Sequence, residues 1–542
     1  MESLRQYRHI HEAVREELAQ VKKKCRCPDH VIGSTHRLSC DLYRRSENDD
    51  EEKSKEPRLT DDDASVDSLV IVGWASDDDP INPKNYSVTR KVSITALVSL
   101  IGMSVVAAAG IDAVGTPQYS AEFGVSTVVG SLASGIFLVG LAVGCLFAGP
   151  FSETFGRNVV YMVTMFLYLI FLMVAGLAPT IESHLIFRFL AGFFGSTPLS
   201  CSGGTVADMW HPLQKTYAFP IYGIPAFAGP VVGELIGSYI PTTLGWRWLE
   251  WIMALEGAAI LVAVIVLQPE TYSHLLLKWR AAALRKETGD DRYKAVSELR
   301  SETLSGQLLV ALYRPFLWSY SELIIILMSM YLVTLYIVLF TFLAGYNFIF
   351  RDAYGLSQGM TSVAWAGMLV GVALVTCVVP VVYAWTASDY RKASYIRPEL
   401  RLLYATLGGA PAIPISLFWM GWTAYPNVSI WSPLAASALF GYGITTIWLI
   451  AYMYIIDSYG IYSASALGFL GFSRYLTAGG IVVAGEPIYS SIGTHYTLTI
   501  MGAISTVTAF VPYLLYVYGP RIRRASRFAV KPEDQVQDMD HE

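Results

Sequence analysis

Four charged residues stand in or beside stretches that are otherwise apolar: Asp112, Arg188, Glu322 and Arg474. An ion in such surroundings costs several kcal/mol unless it is paired or faces water or a polar interior. A carboxylate there holds its proton more tightly as it is desolvated and less tightly as a cation approaches. The chemistry on offer is proton exchange, or capture of a charged solute on a path through apolar material. Glu322 and Arg474 lie deepest and are candidates for lining such a path. Asp112, like Glu486, falls at the end of an apolar stretch, where hydration is the alternative reading. Arg188 opens Arg188-Phe-Leu-Ala-Gly-Phe-Phe-Gly195 close to its stretch's end. It either joins a polar network or reaches the surface on its long stem. Glu256 and Asp457 complete the set.

Other residue types narrow the chemistry. Cys25, Cys27, His30, His36 and Cys40 suggest zinc, but their C-x-C spacing matches no closed structural site, so neither metal nor cofactor is expected. Cys145, Cys201 and Cys377 are dispersed among apolar residues as small packing groups. No catalytic grouping of His, Cys and Asp stands out, and His184 sits at an edge, so the chain is not expected to be an enzyme. It lacks a G-x-x-x-x-G-K-[ST] loop, which argues against ATP-driven work. Tyr331, Tyr336, Phe340, Tyr346 and Asn347 either face an adaptable apolar cavity or pack a bundle.

Two glycine-bearing motifs carry more. In Gly149-Pro-Phe-Ser-Glu153-Thr-Phe-Gly156-Arg157 the glycines permit a tight reversal, and the carboxylate and guanidinium can pair and meet helix-end dipoles. The run resembles the loop signature of the major facilitator superfamily, which implies a latch between two halves at Gly149, Glu153, Gly156 and Arg157; Glu153 replaces the usual Asp. The second, Gly223-Ile-Pro-Ala-Phe-Ala-Gly229-Pro230-Val-Val-Gly233-Glu234-Leu-Ile-Gly237, spaces glycines for close helix contact and places Pro230 to bend the helix. It resembles the superfamily's antiporter signature, with Glu234 where a second glycine is usual. Arg188 likewise resembles the superfamily's fourth-span arginine, and this implies a role in coupling.

The elements that position these residues are apolar stretches of about 20 residues, each able to cross a hydrocarbon core of ~30 Å as a helix. They run 91–111, 127–149, 159–178, 184–206, 217–239, 249–267, 318–346, 361–385, 402–422, 431–454, 463–485 and 496–518. A soluble domain has no use for so many consecutive spans. The expectation is an all-α membrane protein with twelve transmembrane helices in two six-helix bundles, the major facilitator fold. Its parts are a largely disordered acidic tail (1–88), a first bundle (89–267), a central loop (268–315), a second bundle (316–519) and a closing tail (520–542).

Composition agrees. Of 542 residues, 53% are hydrophobic and only 15% charged, with mean hydropathy +0.42; a soluble chain has about a quarter charged. The net charge of −5 suggests no nucleic-acid partner. The charged start has no apolar core of a cleavable leader. Basic residues, from Arg157 and Lys215 through Arg391, Lys392, Arg397 and Arg401 to Arg521–Arg524, collect on one side of the span series. Arg247 and Arg351 are nearly alone on the other. Both termini and the central loop are therefore expected in the cytoplasm, and the sequon at Asn427 outside, as a possible glycosylation site. Thr271 to Lys286 reads as a basic amphipathic helix, serving as a linker with secondary lipid contact.

Asp79-Pro-Ile-Asn-Pro-Lys-Asn-Tyr86, Trp246-Arg-Trp-Leu-Glu-Trp251, Pro269-Glu-Thr-Tyr272, Arg397-Pro-Glu-Leu-Arg401 and Tyr518-Gly-Pro-Arg-Ile-Arg-Arg524 together resemble the fungal twelve-span drug:H⁺ antiporter family. The match covers about residues 79 to 528. The resemblance implies a monomeric plasma-membrane carrier, a vacuolar one being the alternative, that uses the proton gradient to export small hydrophobic or cationic compounds: drugs, toxins, secondary metabolites or polyamines. A facilitative or proton-symport importer on the same fold is the competing expectation, with a transporter-like sensor behind it.

Overall fold

The computed structural model describes residues 2–25, 69–299, 306, 313, 316–317, 321–393, 396–460, 463–526 and 528–530. The tail residues Cys27, His30, His36 and Cys40, the acidic runs 49–52 and 61–63, and Arg300, Arg314 and Arg527 lie outside them. In chain order the principal helices are α1 (Glu2–Cys25), α2 (Val88–Phe123), α3 (Thr127–Phe155), α4 (Arg157–Gly176), α5 (Ile181–Gly195), α6 (Thr197–Met209), α7 (Lys215–Gly237) and α8 (Arg247–Leu267). They continue with α9 (Ser273–Thr288), α10 (Leu323–Tyr346), α11 (Ala366–Ala393), α12 (Ala410–Thr423), α13 (Trp431–Tyr459), α14 (Ser463–Ile492), α15 (Thr494–Thr508) and α16 (Val511–Ala525). Contacts divide the chain into two units, Met1–Asn85 with Pro269–Glu302, and Tyr86–Gln268 with Thr303–Glu542.

The larger unit holds the spans. Among the described residues 11 helices are long and apolar enough to cross a membrane. The expected fourth span is covered by α5 and α6, which meet at Ser196 just ahead of Pro198. Helices satisfy every backbone donor internally, which is what hydrocarbon requires. Leu255, Val262, Val507 and Val517 project outward, mostly exposed. Such apolar rims suit lipid and would be a liability in water. Helices α2–α8 form one bundle and α10–α16 the other. Inside the first, α7 lies directly on α2: a side chain at Gly229 would stand 2.6 Å from the Met103 carbonyl, and one at Gly233 would strike that of Ala107.

Two helix boundaries depart from expectation at charged residues. α2 runs to Phe123, not 111, so Asp112 lies within it. α10 begins at Leu323, which leaves Glu322 as its N-cap at the very end of the span. The ninth span is irregular over Pro398–Gly409, with Gly408 at φ 101°, before α12 begins.

In the smaller unit the described part of the tail packs on the central loop, whose basic helix serves as the linker element expected of it. α1 buries Ile10 and Val14 against Ile81, Leu276 and Ala283, so residues from 1–88 and the central loop share a core. The apolar side of α9, for which lipid contact was only a secondary expectation, is covered by protein. Arg280 is enclosed there, 2.7 Å from both Asp79 and Glu17. A short parallel pair, β1 (Val70–Ile71) and β2 (Tyr293–Lys294), ties the segments again. Hydrogen bonds from Arg285 hold the Glu298 carboxyl below the usual carboxylate range, and Arg292 does the same for Asp290.

Candidate functional site

The first charged centre forms around Arg188. α5 carries it, fully buried, with NH2 3.1 Å from Asp112 on α2 and NH1 3.2 Å from Glu250 on α8. NH2 also donates to the Ala108 carbonyl at 3.0 Å, and Ser134 donates to Asp112 at 2.8 Å. The guanidinium lies 4.6 Å from the centre of the Phe137 ring. His184, one helical turn before Arg188, is buried 3.9 Å from Asp112. Arg188 therefore does not reach for the surface, and Asp112 is not hydrated: both depend on each other in a dry site. Asp112, His184 and Glu250 bring ligand atoms within 4.8 Å of one another, but Arg188, touching both carboxylates, is already the cation there. Glu250 entered the sequence reading only inside the Trp246–Trp251 motif and His184 only as an edge residue, neither as a site residue. The signal available was their presence on apolar helices.

The second centre is Arg474 on α14, also fully buried. It stands over the rings of Tyr475, Tyr452 and Tyr336, at 4.6, 5.0 and 5.1 Å from their centres. Its NH2 donates to the Tyr452 hydroxyl at 2.5 Å, and that hydroxyl donates to the Leu199 carbonyl at 3.2 Å in the first bundle. Tyr336, Tyr475 and Leu199 also line a cavity between the bundles, along with Phe227, Phe340 and Trp448. The cavity measures about 30 Å³, room for about two waters and nothing larger. Of the aromatic residues read as either cavity-lining or packing, Tyr331 and Tyr346 pack away from this cavity; Tyr346 stacks on Trp365 at 3.9 Å.

Contacts join the bundles on both sides of this cavity. At the basic end, Arg401 Nε donates to Asp457 at 2.7 Å, while its NH groups donate to the Thr216 hydroxyl and, at 2.8 Å, to the Pro212 carbonyl of the first bundle. A side chain at Gly149 would stand 3.8 Å from the Ala464 carbonyl of the second. Arg157 is buried on Ser152 and Asp208, the latter at 3.3 Å. Glu153, expected beside Arg157, is exposed and adds to its field. Gly156 makes the reversal at φ 91°. At the opposite end Gln118 donates to Gln358 at 3.2 Å, and Gln358 to the Val114 carbonyl at 2.9 Å. Midway, Gly135 and Gly479 face each other so closely that a side chain on either would stand 2.7 Å from the other's carbonyl oxygen.

The remaining expected residues fall elsewhere. Glu322 accepts from Tyr459 at 3.0 Å and from Ser526 at 2.5 Å. It lines no central path, which corrects the expectation; it ties α10 to the chain beyond α16. Gly229, Gly233 and Gly237 serve the α2–α7 contact, with Pro230 at the cavity wall. Glu234 meets the Ser362 hydroxyl of the second bundle. Asn427 is exposed in the turn between α12 and α13.

Comparison with known proteins places this geometry. The Major Facilitator Superfamily model matches residues 92–483. The MFS-type transporter kojT of Aspergillus flavus is 43% identical over 467 residues, 85% of this chain and 83% of the relative. The citrinin biosynthesis cluster MFS transporter mrr1 of Monascus ruber is 31% identical over 468 residues, 85% of this chain and 93% of the relative. Among solved structures, the proton:xylose symporter XylE bound to 6-bromo-6-deoxy-D-glucose aligns with a TM-score of 0.60 at 13% identity. It covers 80% of this chain and 96% of that one, a likeness of fold.

Proposed function

We propose that this chain, which belongs to the major facilitator superfamily, exports a small secondary metabolite in exchange for protons. Membership makes it a multi-pass carrier working by secondary transport rather than an enzyme. The observation that carries the finer reading is the pair of inter-bundle closures, Arg401 with Thr216 at one end and Gln118 with Gln358 at the other, around one apolar cavity. Opening either closure alone exposes the cavity to one side, the rocking motion expected of paired bundles.

Proton exchange is assigned to the Asp112–Arg188–Glu250 centre. One guanidinium neutralises one carboxylate, and the second is uncharged only when it carries a proton. A shift of Arg188 between the two partners changes which carboxyl can release it. The relative from a citrinin biosynthesis cluster supports a metabolite cargo. Arg157 and Arg401 mark the cytoplasmic end by the basic-residue rule, with both termini there and the carrier acting as a monomer in the plasma membrane.

The test is flux of fungal metabolites into everted vesicles carrying the chain, with and without an imposed pH gradient. Gradient-dependent accumulation of at least one compound is expected. Equilibration unaffected by the gradient would favour the facilitator instead.

A further inference from the structure

Among the described residues Arg474 forms no ion pair, and its Nε and NH1 groups have no hydrogen-bond acceptor. Arginine keeps its charge in any protein environment, and two unmet donors on a desolvated ion are costly. The three tyrosine rings return only part of that through cation–π attraction. Among the described residues no acidic side chain lines the adjoining cavity, whose walls are aromatic and apolar. Arg188, the buried arginine at the heart of the first bundle, has two carboxylates against it; Arg474 has only phenol rings.

We propose that the cargo supplies the anion: an aromatic or otherwise apolar molecule bearing a carboxylate or an ionised enol, its oxygens bonded to Nε and NH1 of Arg474. With one closure opened and the cavity widened beyond its present room for about two waters, the apolar body lies between Trp448, Phe340 and Phe227, and Tyr336 and Tyr475 form the junction between charged and apolar regions. This rests on the reading of the central cavity as the cargo site, and it narrows the cargo class. It replaces the cationic drugs and polyamines implied by family resemblance, because a second positive charge beside Arg474 would find repulsion and no carboxylate. A bidentate oxyanion is the natural partner of a planar guanidinium. Engaging it also competes with Tyr452, whose hydroxyl bridges Arg474 to the Leu199 carbonyl across the bundle interface. Cargo binding thereby loosens one inter-bundle contact next to the cavity.

The test uses purified full-length chain and matched carboxylates, amides and amines built on benzene and naphthalene. Binding is read by tryptophan fluorescence and by thermal stabilisation. The carboxylates are expected to bind at least tenfold more tightly than their amides or amines. Arg474→Gln should erase that preference, while Arg474→Lys, which keeps the charge but not the fork, should retain part of it and show that the fold survives. Amines or amides binding as well as acids, a charge-blind panel, or an undiminished acid preference in R474Q would overturn the proposal. Trp448→Ala separates it from the cavity reading. Weaker binding of all three classes supports both readings, whereas an unchanged carboxylate affinity in W448A with loss in R474Q rejects the cavity as the apolar subsite.

Discussion

The guanidinium of Arg401, on the second bundle, donates to the side chain of Thr216 on the first while Asp457 holds it from behind at 2.7 Å. This contact joins the two bundles at the basic end.

Arg401→Ala should therefore favour the form open at the basic end. Charge-assisted hydrogen bonds contribute about 1.5–3 kcal/mol, equivalent to a roughly ten- to hundredfold shift in the open–closed equilibrium. Cys145 is buried on α3 where it faces α14, and its modification by a permeant thiol reagent should accelerate accordingly. An unchanged labelling rate contradicts the latch.

Within the Arg188 centre, removing a charge and removing the cation have opposite signatures. Glu250→Gln should leave a folded carrier that binds cargo but no longer couples it to pH. Arg188→Met strands Asp112 and Glu250 in a dry site and should destabilise the chain by about 3–5 kcal/mol. Comparing melting temperature with gradient-driven flux for each variant checks both; coupling retained by E250Q removes Glu250 from the proton path.

Gly479 sits where α14 crosses α3, with no space for a side chain. Gly479→Val should cost about 1–3 kcal/mol of packing and hinder the bundles from returning to the closed form. Transport should fall while membrane insertion persists, as measured by surface labelling beside flux. Full transport at wild-type stability would show that the bundles do not meet there.

The smaller unit should loosen in acid. Arg285 depresses the Glu298 carboxyl, and Arg292 that of Asp290. A depressed folded-state pKa means stability present above the unfolded pKa of about 4 and lost as pH falls through the folded value. Amide protection factors, corrected for the intrinsic pH dependence of exchange, should fall at the C-terminal turns of α9 below about pH 4, and in Glu298→Gln they should be low already at pH 7. Protection factors in the natural chain that do not change between pH 7 and about pH 3 contradict the pairing.

How much of this was legible in the sequence follows from range. Span number came from composition, because lipid demands long apolar runs, and Arg157 and Arg188 came from short motifs. Their partners did not. Asp208 is 51 positions from Arg157 and Glu250 62 from Arg188, and no local pattern joins them. Asp112 seemed to end its helix because a charge interrupts hydropathy; a buried ion pair lets the helix continue to Phe123. The packing of α1 on α9 was hidden for the same reason, since a polar tail finds its apolar partner only through a long-range contact. Glu322 misled in the other direction: the apolar run around it extends further than the helix itself.

Proton exchange against cargo is the central claim, and a pH dye sealed inside proteoliposomes tests it most directly. On addition of a transported metabolite, the natural chain is expected to move protons opposite to the cargo, with the interior pH changing only while cargo flows, and Glu250→Gln is expected to give no change. Cargo flux by the natural chain with a steady interior pH would contradict the account.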